Sequence, residues 1–64
     1  MKFEMNVVMD NAAFTDNNGG ELARILRKLA DRLEGGDYFD DDESGLCMDA
    51  NGNRVGGWTI NKDN

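Results

Sequence analysis

A chain of 64 residues with 13 Asp and Glu against 7 Lys and Arg, no histidine, no proline and one cysteine carries a formal charge of −6. Such a length holds one domain, 1–64, and buries only about 60% of the surface its unfolded chain exposes. A lone Cys47 excludes an internal disulfide or thiolate cage, and the lack of histidine removes the usual general base and the commonest zinc ligand.

The first element in the chain is a strand. Over 2–10, Phe3, Met5, Val7 and Met9 alternate with Lys2, Glu4, Asn6, Val8 and Asp10, the period of a half-buried strand. Phe14 is expected to tuck against the core edge. Asp16-Asn17-Asn18-Gly19-Gly20 reads as a turn, being rich in residues that tolerate positive φ.

The 21–34 segment predicts a helix. Leu22, Ile25, Leu26, Leu29, Ala30 and Leu33 recur at three- and four-residue spacing and form an apolar stripe. Glu21 falls in the first turn, where the helix dipole favours an anion. Gly35-Gly36 predicts a left-handed C-cap.

Two strands follow, around 46–48 and over 54–60, joined by Asp49-Ala50-Asn51-Gly52-Asn53. Its Asn-Gly pair is the strongest short hairpin signal. Gly56-Gly57 predicts a bulge or a close backbone approach that lets Val55, Trp58 and Ile60 share a face. Residues 61–64 are polar and expected to fray. The expected fold is α+β in two layers, with one helix on a small, mainly antiparallel three-stranded sheet in β-α-β-β order. Its core is expected to hold Phe3, Met5, Val7, Leu46, Met48, Trp58 and Ile60.

Charge is distributed unevenly. The helix takes Arg24, Arg27, Lys28 and Arg32 against Glu21, Asp31 and Glu34, leaving ten acidic and three basic residues elsewhere. Five of the seven residues in 37–43 are acidic, enough to make that segment the focus of any acidic surface. A run of this kind commonly serves solubility alone. The sharper expectation is a patch that imitates nucleic acid, formed by Asp37, Asp40, Asp41, Asp42 and Glu43 with Glu4 and Asp10, and anchored by Tyr38. A compact chain of this length spans about 25 Å. Duplex DNA carries about 15 charges over that distance, more than the whole chain holds, so only a local match is feasible. The expected partner is therefore the basic, DNA-binding groove of another protein. Nucleic acid itself and the membrane are excluded as direct partners by charge and by the lack of a long apolar segment.

Other chemistry finds less support. Asp40-Asp41-Asp42-Glu43-Ser44-Gly45 opens like a calcium-binding EF-hand loop, but Asn51 stands where the bidentate Glu is required. Cys47 has no histidine to activate it, and Gly19-Gly20 lacks the Lys-Ser/Thr of a phosphate-binding loop. No cofactor, metal or catalytic residue is expected. The absence of disulfides suits a reducing cytoplasm.

The helix ELARILRKLADRLE at 21–34 and the hairpin DANGNRVG at 49–56 resemble small phage-encoded acidic proteins of β-α-β-β plan. In size, acidity and layout the chain is also similar to type I anti-CRISPR proteins, some of which mimic double-stranded DNA. That resemblance implies an inhibitor seated in the DNA-recognition groove of a Cascade-type subunit, acting as a monomer or weak dimer. The alternative is a non-enzymatic adaptor or homo-oligomeric structural phage protein that uses the helix surface.

Overall fold

The computed structural model describes residues 1–36 and 41–62. Strand β1 (Lys2–Val7) leads through a 3-10 turn (Ala12–Phe14) into helix α1 (Asn18–Gly35), followed by strands β2 (Glu43–Met48) and β3 (Arg54–Asn61). The three strands form an antiparallel sheet in the order β1-β3-β2, packed with the single helix, as the β-α-β-β pattern predicts. β3 is the central strand, and β1 and β2 are both edges.

Register fixes which residues face the helix. The cross-strand rows Phe3–Ile60–Glu43, Met5–Trp58–Gly45 and Val7–Gly56–Cys47 lie on the helix side. Glu4–Thr59–Ser44 and Asn6–Gly57–Leu46 lie on the other. The core comprises Phe14, Ile25, Leu29, Cys47, Val55, Trp58 and Ile60, with Met5, Val7, Met9, Ala13 and Leu33 packed around it. Phe14 is 3% exposed, a central member of the core and more than a plug at its edge.

β2 reverses the expected orientation. Cys47 points inward, while Leu46 and Met48 are 58% and 41% exposed. The indole of Trp58 explains the choice: a Cβ on Gly45 would stand 2.5 Å from its Nε1. Gly45 makes room for the ring, and strand alternation then brings Cys47 inward and turns Leu46 and Met48 outward. Phe3 also differs from expectation. It is on the helix side but half exposed, with its ring centroid 6.2 Å from that of Trp58.

The bulge lies beside the two glycines. Between Cys47–Gly56 and Met48–Arg54, β3 advances two residues against one in β2, so Val55 is the extra residue and is buried. Gly56 supplies the close approach, since a Cβ there would run into the backbone carbonyl of Asn6.

Helix α1 begins three residues before the predicted 21–34 segment. Asn17 caps it by accepting the Gly20 N–H at 3.0 Å, and Gly20 has no space for a Cβ because that cap lies against it. Gly19-Gly20 therefore belongs to the first helical turn rather than to a loop. At the other end the left-handed cap is not formed. Gly36 has φ −83° and donates to the carbonyls of Arg32 and Leu33, so the helix closes in right-handed geometry. Among the described residues, the positive-φ glycine is Gly52 at +83°, in the Asn-Gly turn. The buried face of α1 is also narrower than the stripe: Ile25 and Leu29 are buried, Leu22 and Leu33 half-buried, and Leu26 and Ala30 exposed.

Candidate functional site

The acidic residues singled out from sequence do not all come together. Asp37, Tyr38 and Asp40 lie outside the described residues, as does Phe39. Asp41, Asp42 and Glu43 are exposed at the entry to β2. Asp42 is held in place there, its Oδ1 accepting the Lys62 N–H at 2.8 Å. Glu43 shares the helix-side row of Phe3 and Ile60, whereas Glu4 points from the opposite face and pairs with Lys2 at 3.6 Å. Asp10 is exposed beyond the end of β1, at the other end of the sheet from Glu43. The 41–43 end is thus the acidic cluster within the described residues, and Glu4 and Asp10 stand apart from it. The long axis of 38 Å would match about 22 charges of duplex DNA, which further restricts any mimicry to a local patch.

A second polar cluster has no counterpart among the sequence expectations. Glu21 is buried, and its Oε2 accepts the Ala50 N–H at 2.7 Å. Arg24 reaches back one turn to grip both oxygens of Glu21 at 2.7 and 3.2 Å and donates to the Met48 carbonyl at 3.1 Å. Beside them the buried Asp49 accepts the N–H groups of Asn51 and Asn53 at 2.9 and 2.8 Å, and the side-chain amides of Asn11 and Asn53 at 2.6 and 3.3 Å. The cluster fastens the helix start and the segment before it to the hairpin turn. Its signals in the sequence are the i,i+3 spacing of Glu21 and Arg24 and an Asp followed by turn-forming Asn residues.

These bonds shift the ionisable groups. Hydrogen bonding from Arg24 holds the Glu21 carboxyl below its ordinary range against the opposing effect of burial. The Asn53 backbone N–H, helped by the other amides, does the same for Asp49. Arg24 is raised in turn by its bond to Glu21. A carboxyl lowered by folding stabilises the native state above its unfolded pKa and loses that contribution as pH falls through the folded value. Melting temperature is therefore expected to hold steady above about pH 5 and to fall below about pH 4. Asp49→Ala should melt lower than wild type at neutral pH, with the gap narrowing under acid. A gap unchanged from neutral to strongly acidic pH would show that Asp49 does not act as an anion here.

The cluster is structural in chemistry. The Asp49 oxygens are engaged by amides of this same chain, which accounts for Asp49, Asn51 and Asn53 without a cation. Among the described residues no three His, Cys, Asp or Glu gather as a metal site. Burial raises the Cys47 thiol above its ordinary range, which makes it a poor nucleophile.

A further surface feature is a cleft of about 280 Å³ between α1 and the edge strand β2. Ile25, Leu29, Cys47 and Trp58 form its apolar base, Lys28 and Arg32 border it from the helix, and Leu46 and Met48 border it from the strand. The Arg32 guanidinium lies 5.5 Å from the centroid of the Trp58 ring, a cation–π contact that caps the indole. No described helix is long and apolar enough to cross a membrane. Comparison of the chain with family models, curated proteins and solved structures yields no significant match.

Proposed function

We propose that this protein is a non-catalytic inhibitor that docks its acidic end onto the basic, DNA-recognising groove of another protein. The observation that carries the reading is a separation of charge. The ion pairs formed among the described residues are Lys2–Glu4 and Arg24–Glu21, and neither involves Asp41, Asp42 or Glu43. Three consecutive exposed carboxylates outside those two pairs repel one another. A Lys- and Arg-lined groove would relieve that repulsion and be found rapidly through long-range attraction. The first partner to test is the DNA-binding subunit of a type I CRISPR surveillance complex in the bacterial cytoplasm, which the general resemblance suggests.

The decisive variant combines Asp40→Lys, Asp41→Lys and Asp42→Lys. Exposed charge pairs are worth under about 1 kcal/mol each, so a single change is expected to have little effect, whereas three reversals turn attraction into repulsion. In a competition assay, wild-type protein should release duplex DNA from the surveillance complex and the triple variant should not. Loss of the Asp42–Lys62 bond affects only the residue that follows β3, so the melting temperature should stay within a few degrees. A folded triple variant that still displaces DNA at full strength would rule out the acidic end as the contact.

The adaptor reading is favoured by a different observation, the open apolar cleft flanked by Lys28 and Arg32. It makes the opposite forecast, with Lys28 critical to partner binding and 40–42 dispensable.

A further inference from the structure

We propose that the β2 edge is a self-association surface, on which a second copy of this chain lays its own β2 antiparallel across the mouth of the cleft. The two edges of the sheet differ in how they are protected. β1 carries Lys2 and Glu4 along its length, and charges of this kind discourage pairing with another strand. β2 runs Ser44-Gly45-Leu46-Cys47-Met48 after Glu43, with neither charge nor proline. It also turns two of the molecule's large exposed apolar side chains, Leu46 and Met48, toward solvent. Leu46 borders both the cleft and a depression on the far face formed with Ser44, Arg54 and Thr59, so the apolar surface wraps around this edge.

Charge along the strand selects the occupant. The acidic end of β2 is at Glu43, whereas Met48, at the other end, shares the cleft with Lys28 and stands opposite Arg54 of β3. One end is therefore negative and the other positive. A two-fold axis at Gly45 sets Glu43 of one copy opposite Cys47 of the other, on the helix side of both sheets. Glu43 of one copy then approaches Lys28 of the other, and the symmetry makes the same pair twice. An unrelated apolar strand would fill the cleft without satisfying either end. Glu43 is common to both surfaces, but Asp41 and Asp42 precede β2 and remain outside this pairing, so the self-association does not depend on the function proposed above.

Sedimentation equilibrium of the intact chain tests this over micromolar to millimolar concentration. The expected result is a mass rising from that of the 7.1 kDa chain to twice it. Leu46→Lys should be monomeric throughout with an unchanged melting temperature, because residue 46 lies on the surface. Asn6→Lys, on the other edge, should dimerise as wild type does. Glu43→Lys and Lys28→Glu should each weaken association about tenfold, and the two together should return it to within about threefold of wild type. A single-chain mass at millimolar concentration would overturn the proposal, as would a dimer that survives Leu46→Lys. A double variant weaker than both single ones would overturn the antiparallel register. The Asp40, Asp41 and Asp42 lysine triple should still dimerise, which separates failure of this surface from failure of the acidic end.

Discussion

Trp58→Ala is expected to leave the chain unfolded, or close to it, at room temperature. Trp58 is 4% exposed and lies in the middle row of the central strand, between Met5 and Gly45. Phe3 packs toward one part of its ring and Arg32 covers another, while Gly45 surrenders a side chain to admit it. Truncating a buried Trp costs roughly 3–5 kcal/mol, because the lost contacts are joined by a cavity that neighbours fill only in part. A 64-residue domain has roughly 3–10 kcal/mol in total, at about 0.05–0.15 kcal/mol per residue. The loss is thus comparable to the whole stability. Urea titration followed by circular dichroism measures it without relying on the indole that has been removed. Trp58→Phe, which retains a ring, should keep a cooperative transition at lower urea. If Trp58→Ala unfolds within about 1 kcal/mol of wild type, the indole is not the centre of the core.

The parts of the fold that were legible in the sequence are those set by local rules. The alternation after Lys2 gives β1, the three-four spacing of Leu22, Ile25, Leu29 and Leu33 gives α1, and Asn51-Gly52 gives the turn with its positive φ. Expectations failed where a residue's role depends on a distant partner. Leu46 and Met48 are bulkier than Gly45 and Cys47, yet Trp58, more than ten residues away, leaves no room for a side chain at 45 and so turns that row inward. Glu21 reads as an ordinary first-turn acid until the hairpin turn delivers the Ala50 N–H to it. Gly19-Gly20 failed for a local reason instead: two poor helix formers in the first turn hid the cap that Asn17, three residues before Gly20, provides.

The candidate site follows the same division. The acidic run at its entry to β2 is visible in composition, but composition does not place Glu4 and Asp10. Pleating sends Glu4 to the face away from Glu43, and Asp10 lies past the far end of β1. The cleft was not legible at all. It arises because β2 is an edge strand, and sheet order β1-β3-β2 is a property of pairing rather than of any one segment.

Gly56→Ala should rank with the most damaging single-methyl additions this fold can suffer. The inserted Cβ meets the carbonyl oxygen of Asn6 on the neighbouring strand, with the Val7 Cα 3.0 Å away. Those are main-chain atoms, so no rotamer change relieves the overlap. Overpacking typically costs about 1–3 kcal/mol, and collision with a strand backbone belongs at or above the top of that range. The strand that must yield is β1, which among the described strands pairs with β3 alone, so its registers from Lys2–Asn61 to Val7–Gly56 are the ones at risk. Amide hydrogen exchange should show β1 losing protection first, before the β2–β3 hairpin. Gly35→Ala provides the matched control, since its added methyl lies in the last turn of α1 and has nothing within 4 Å. That change is expected to raise stability by roughly 0.5–1 kcal/mol through helix propensity. The same added atom should thus move stability in opposite directions at two glycines. A Gly56→Ala protein that melts beside wild type with β1 fully protected would mean that the bulge at Val55 absorbs the methyl by letting β1 and β3 move apart.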